Sequence, residues 1–140
     1  MERILVGIDA SHPSWESLLR ALCLAQRIEA RVAVLVVFEP GGRESEQGRA
    51  VLVRVGTEIE SAKAAGAFVE LYMAEGRHDR EVIEAAGRLK TTLLVAPASG
   101  ADGQGGEREA GSLGRILGGV ACRVELVSPR KHHERTKDGT

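Results

Sequence analysis

Asp9 ends the apolar run Ile4 to Ile8 and stands before the turn-forming stretch Ala10-Ser11-His12-Pro13. A carboxylate in that place can accept hydrogen bonds from the ribose hydroxyls of a ligand, or it can satisfy amides of its own turn. Both readings stay open. A second candidate is the segment Gly100 to Ser112, which carries five glycines and leads into a helical pattern. Glycines let backbone amides approach a phosphate closely, and a helix start adds the favourable end of its dipole and a serine hydroxyl. The same segment also reads as a flexible connection. It contains no Gly-Lys-Ser/Thr and is therefore not a Walker A loop. The first strand does not run into Gly-x-Gly-x-x-Gly, which excludes the dehydrogenase fingerprint.

Other chemistry-bearing residues fit ordinary roles. His12 is expected on an exposed loop, and His78 as a cap or surface group before the third helix. His132 and His133 are adjacent in the polar end of the chain and have no third partner for a metal. Glu107 and Glu109 lack the apolar setting that would raise a carboxylate into the range of acid catalysis. No Ser/His/Asp or Cys/His set accompanies them, so the chain is not expected to be a fast catalyst. A phospho-acceptor role is excluded by the lack of acidic neighbours that would hold Mg²⁺ beside Asp9. An adenylating enzyme is excluded by the lack of a Ser-Gly-Gly-x-Asp loop.

The elements that position these residues alternate along the chain. Apolar runs at Ile4–Ile8, Val32–Phe38, Phe68–Met73, Thr92–Ala96 and Val124–Val127 read as strands, most of them covered on both faces. Between them come helical patterns. Trp15, Leu18, Leu19, Leu22 and Cys23 share one side of the first, capped by Ser11 or Ser14. Leu52, Val55, Ile59 and Ala62 mark the second. Val82, Ala86 and Leu89 mark the third, over Glu81–Leu89. Leu113, Ile116, Leu117 and Val120 mark the fourth, after one long loop from Gly100 to Gly111. Five strands alternating with four helices predict an α/β fold, a parallel sheet with helices on both faces. In such sheets ligands bind beyond the carboxyl ends of the strands, where strand order reverses. That rule selects the loops at Asp9, at Val37–Pro40 and at Pro97–Ser112.

The 140 residues suit one domain, expected over 1–129, with 130–140 a polar, disordered tail. Apolar residues make up 43% of the chain, enough for a core without staples. Nineteen Lys+Arg against twenty Asp+Glu leave a formal charge of −1, and only 3% of residues are aromatic. That balance excludes a general nucleic-acid face or a base-stacking platform. Two cysteines, Cys23 and Cys122, form no disulfide framework and suit a reducing compartment. No apolar run reaches membrane-spanning length, and Met1-Glu2-Arg3 leads straight into a strand rather than a signal core. A cytoplasmic protein is expected.

Several segments together resemble the universal stress protein family from Arg3 to about Ser128. They are Ile4-Leu-Val-Gly-Ile-Asp9-Ala-Ser11, Val34-Leu-Val-Val-Phe-Glu39, Gly76-Arg-His-Asp-Arg-Glu-Val-Ile-Glu-Ala-Ala86 and, above all, the run from Gly111-Ser112 through Val127. The resemblance implies strand order 3-2-1-4-5, a Rossmann-like sandwich of the adenine nucleotide alpha hydrolase type. It implies a homodimer through the last strand, Val124, Glu125, Leu126 and Val127. It also implies an adenine nucleotide, ATP (with Mg²⁺) or AMP, as regulatory ligand, with at most slow hydrolysis of ATP. In that branch Asp9 would meet the ribose, Val37 the adenine, and Gly100, Gly111 and Ser112 the phosphates. The loop departs from the family's Gly-x2-Gly-x9-Gly-Ser/Thr spacing, with Pro97 in place of the first glycine and ten residues between Gly100 and Gly111. Proline removes a backbone donor there. The alternative is a nucleotide-free dimeric interaction module with a protein partner.

Overall fold

The computed structural model describes residues 1–98 and 106–128, with backbone alone for 106–110. The order is β1 (Glu2–Asp9), α1 (Trp15–Arg27), β2 (Ala30–Phe38), α2 (Glu46–Ala64), β3 (Phe68–Glu75), α3 (His78–Arg88), β4 (Leu93–Pro97), α4 (Gly106–Gly119) and β5 (Arg123–Val127). One 3-10 turn, Gly42–Glu44, precedes α2. The five strands form one parallel sheet in the order β3-β2-β1-β4-β5, as the sequence reading has it. The expected tail, 130–140, lies outside the described residues, as does Gly100.

Alternation along β1 sorts the core into two layers. Ile4, Val6 and Ile8 point to one face with Val32, Val34 and Val36 of β2, under Leu18 and Leu22 of α1 and Val55 and Ile59 of α2. Leu5 of β1, Leu35 and Val37 of β2 and Leu94 of β4 point to the other, under Val82, Ala85 and Ala86 of α3 and Ile116 of α4. Each fully buried Leu or Ile contributes about 2 kcal/mol relative to an exposed one. No helix among the described residues is long and apolar enough to cross a membrane.

One helix face and two helix starts differ from the sequence reading. The buried stripe of α1 is Leu18, Ala21, Leu22 and Ala25, while Leu19 is 44% exposed and Cys23 is exposed. Alanines bring the helix close to the sheet and turn the larger Leu19 outward. Ser14, not Ser11, caps this helix, accepting from the Ser17 amide. Helix α3 begins at His78 rather than Glu81, so His78 stands inside its first turn. Helix α4 begins at Gly106, so the expected long loop is shorter and Gly111-Ser112 stands within a helix. The intervening Glu107-Arg108-Glu109-Ala110 are strong helix formers, and they outweigh the glycines that suggested a loop.

The sheet opens at one end, between β1 and β4. Their ladder runs from Ile4↔Leu93 to Val6↔Val95 and stops there, although the strands continue to Asp9 and Pro97. On its other side β1 stays paired with β2 to the end, where Asp9 faces Val37. The strands therefore part at their carboxyl ends at the place where strand order reverses.

Gly7 shows how tightly α3 presses on this end of β1. A Cβ there would lie 2.6 Å from Val82 Cγ2 and 3.2 Å from His78 Cε1. Gly7→Ala is expected to destabilise the fold by about 1–3 kcal/mol through overpacking. Val82→Ala in the same chain should recover part of that loss in urea unfolding, because the two positions share one contact.

Candidate functional site

The loop after β1 is held from three sides. Asp9 Oδ1 accepts from the Ser11 amide at 2.9 Å, and the Asp9 carbonyl accepts from the His12 amide at 3.0 Å. The turn-satisfying reading of Asp9 is thus realised by one carboxylate oxygen, and the half-buried side chain keeps a second oxygen outside that bond. The Ala10 amide donates to the Val37 carbonyl at 2.9 Å, which carries the β1–β2 pairing one residue past the strand. Gln47 in the first turn of α2 donates through Nε2 to the carbonyls of Ala10, at 3.0 Å, and Ser11, at 3.2 Å. Ser11 Oγ reaches Glu39 Oε2 at 3.4 Å. Gln47 was not visible as a site residue in the sequence, because its targets are backbone atoms 36 and 37 residues away.

Val37 is 3% exposed and belongs to the apolar layer under α3 and α4. Gly7 and Asp9, two residues apart on one strand, share that face. So does His78, whose ring lies against Gly7. Its Nδ1 is sealed from solvent and has no hydrogen-bond partner among the described residues. Burial pushes the imidazole pKa down, against an opposing pull from the Asp9 and Asp79 carboxylates. The ring is therefore neutral at pH 7. The expectation of a cap or surface histidine is corrected here. One extra turn at the start of α3 carries the ring under the sheet, and the small Gly7 makes room for it.

The next residue, Asp79, is 4% exposed. Its carboxylate takes four donors. Oδ1 accepts from Arg77 Nε at 3.2 Å and the Arg80 amide at 2.9 Å. Oδ2 accepts from Arg77 Nη2 at 2.9 Å and from Arg115 Nε of α4. The Arg77 bonds hold this carboxyl well below the usual range, with further help from Arg115 and the Arg80 amide, while burial opposes them. The guanidinium groups themselves are 62% and 55% exposed. Among the described residues two guanidiniums share this one carboxylate at the start of α3, where the helix dipole is also positive.

Gly111 and Ser112 lie one turn before Arg115 on α4, at spacings that put all three on neighbouring positions of one face. Gly111 is exposed and Ser112 half-buried. As the sixth and seventh residues of the helix, they lie beyond the first four amides that lack intrahelical partners. In this placement their amides lie inside the helix rather than among its starting amides. Arg115 ties the Gly111-Ser112 turn of α4 to Asp79, the neighbour of His78, whose ring lies against Gly7 of β1. The Gly100 expectation falls outside the described residues. His12 is exposed, as expected of a loop residue. Burial raises the Cys122 thiol pKa, which keeps it protonated. Among the described residues no group of three His, Cys, Asp or Glu side chains could hold a metal ion.

A model of the universal stress protein family matches residues 1–124. Among solved structures, a universal stress protein in complex with cAMP is 25% identical, with a TM-score of 0.64 over 91% of this chain and 96% of that one. A universal stress protein from Archaeoglobus fulgidus in complex with dAMP is 14% identical, with a TM-score of 0.63 over 90% of this chain and 97% of that one. A universal stress protein family protein from Arabidopsis thaliana with AMP bound is 15% identical, with a TM-score of 0.63 over 95% of each chain. The last two likenesses concern the fold. No curated protein sequence matches the chain significantly.

Asp79→Asn keeps the shape but removes the charge that its donors meet. It is expected to cost about 2 kcal/mol at pH 7, discounted for the solvent around both guanidiniums. A carboxyl with a depressed folded pKa contributes above its unfolded value, near 4, and that contribution fades as pH falls toward the folded value. The stability gap between wild type and Asp79→Asn in urea unfolding should therefore be full at pH 7 and narrow steadily below about pH 4.

Proposed function

The chain belongs to the universal stress protein family, and from that premise we propose that it binds an adenine nucleotide, AMP or ATP, as a regulatory ligand. The site is the crevice at the carboxyl ends of β1, β2 and β4. The observation that carries this reading is the end of the β1–β4 ladder at Val6↔Val95, three residues before Asp9, at the reversal of strand order. Asp9 offers its second carboxylate oxygen to ribose hydroxyls, and the base would lie beside the end of β2 at Val37, whose own side chain is buried. The structures of a universal stress protein with cAMP, of the Archaeoglobus protein with dAMP and of the Arabidopsis protein with AMP support the choice of adenine nucleotide. Mg²⁺ arriving with ATP would be held by phosphate oxygens and water. No activated nucleophile or general base stands beside the crevice among the described residues, and the ligand acts by occupancy rather than fast turnover. The same reading puts the protein in the cytoplasm, where free Cys23 and Cys122 suit a reducing medium.

The loop Ala10-Ser11 is preorganised by Gln47 and by the Val37 carbonyl before any ligand arrives, which lowers the ordering cost of binding. Calorimetric titration with AMP and with ATP should give saturable heat for at least one of them. Asp9→Ala should weaken that binding about tenfold or more, the loss of about 1.4 kcal/mol. Absence of saturable heat with both nucleotides would favour the second reading, a nucleotide-free interaction module. That reading draws on Pro97 at the end of β4, which has no amide to offer, and on the helical burial of the Gly111-Ser112 amides.

Either reading includes a homodimer through β5. It is an edge strand with Leu126 46% exposed, and Glu125 is held from within the chain by Arg20 of α1 at 2.5 Å. An open apolar edge is a template for pairing with a second copy. Leu126→Lys is expected to shift the protein from dimer to monomer in light scattering after size exclusion, with nucleotide affinity retained.

A further inference from the structure

The phosphates of a nucleotide seated on Asp9 and Val37 need donors, and α4 does not supply them as backbone amides at Gly111 and Ser112. It supplies a guanidinium instead. Arg115 spends only Nε on Asp79 among the described residues. Its Nη1 and Nη2 lie 3.6 and 3.9 Å from the position a Cβ would take on Gly111. The outer edge of the guanidinium is thus folded back over the first half of α4, the direction helical side chains prefer. It sits beside the face that presents Ser112.

The charge around Arg115 fits an anion. Asp79 already accepts four hydrogen bonds, as many as its two oxygens hold, so it orients Arg115 without occupying its outer edge. Arg77 adds a second, 62% exposed guanidinium on the same carboxylate. His78, buried against Gly7, is neutral and adds no charge at pH 7. A planar fork held by one buried acid matches a phosphate bidentately, which a lysine ammonium does not.

Resting on the adenine-nucleotide reading above, we propose that Arg115 contacts the phosphate of the bound nucleotide through Nη1 and Nη2 together with Ser112 Oγ. Asp79 is its positioning residue, and the site thereby selects 5′-phosphorylated nucleosides over nucleosides. Ser112 keeps the role the sequence suggests, through its hydroxyl rather than its amide. Arg115 supplies the charge that the helical amides of Gly111 and Ser112 do not.

The test is titration calorimetry with AMP and with adenosine on wild type, Arg115→Gln, Arg115→Lys and Asp79→Asn, each checked for folding by circular dichroism. Wild type should prefer AMP to adenosine by at least tenfold. Arg115→Gln should lose about that factor for AMP and bind adenosine within about twofold of wild type. Arg115→Lys should fall between them, because it keeps the charge without the fork. Asp79→Asn should also lower the AMP-to-adenosine ratio, whereas a loss of folding stability alone would lower the affinities for both ligands together. Equal losses for AMP and adenosine, or an unaltered ratio in Arg115→Gln, would overturn the assignment while leaving adenine binding intact. A wild type that binds adenosine and AMP equally would overturn it in the same way. A wild type that binds neither would remove the nucleotide reading itself and this assignment with it.

Discussion

Asp79 is the one charged side chain buried among the described residues, and it lies where α3 meets α4. Burying an ion costs several kcal/mol unless donors replace its lost water. Here the replacement is complete, with four donors drawn from Arg77, the Arg80 amide and Arg115. Because one donor comes from α4, this helix is oriented on α3 by a directional contact as well as by the packing of Ile116 in the shared apolar layer. Apolar packing tolerates small rotations about a helix axis, whereas a hydrogen bond to a fixed oxygen does not. The rotational setting of α4, and with it the placement of Gly111 and Ser112, therefore depends on this carboxylate.

The opposite wall of the crevice is fixed by a different device. No buried charge is involved at the β1–α1 turn. Its carbonyls are claimed by the Gln47 amide and its backbone N–H by Val37 and Asp9. A neutral amide loses little on desolvation when both of its bonds are made, so this wall can be rigid at low energetic cost. The two walls meet at Gly7, where the closeness of α3 to β1 lays a neutral imidazole against the strand. Without that glycine the ring would be displaced.

The sheet was legible because β1, β2 and β4 are short apolar runs bounded by turn residues, while the mixed runs of β3 and β5 fall at the strand positions of the same alternation with helices. The carboxyl ends of β1 and β2, where Asp9 and Val37 lie, were legible for a related reason, since a strand's end is set by where its apolar run stops. Helix faces were less so. In α1 the stripe turned on Ala21 and Ala25, residues that carry little hydropathy yet allow close approach to the sheet. In α4 a glycine-rich segment concealed a helix start, because Glu107 to Ala110 favour helix more than the glycines before them oppose it. Arg115 and Asp79 are 36 residues apart, and no local period connects them. Nor does any spacing reveal that Gly7 is open so that His78 can lie beneath it. A glycine inside an otherwise wholly apolar strand was the one visible trace of that contact.

The separation of charge around the proposed site constrains how a nucleotide can lie there. Asp9 is acidic at the end of β1, His78 against Gly7 is neutral, and the Arg77 and Arg115 guanidiniums gather on Asp79 at the start of α3. A ribose offers hydroxyl donors, which a carboxylate accepts; a phosphate offers only acceptors and negative charge at neutral pH. Placing phosphate against Asp9 would set two like charges together, at about 4 kcal/mol for a 4 Å separation near a protein surface. The reverse orientation would leave the guanidiniums facing hydroxyls, which neither neutralise them nor use their fork. A purine has no such polarity and is indifferent to the exchange, so orientation is set by the sugar and the phosphate. The apolar layer beside Val37 then needs only to accept the base wherever the two charged ends leave it.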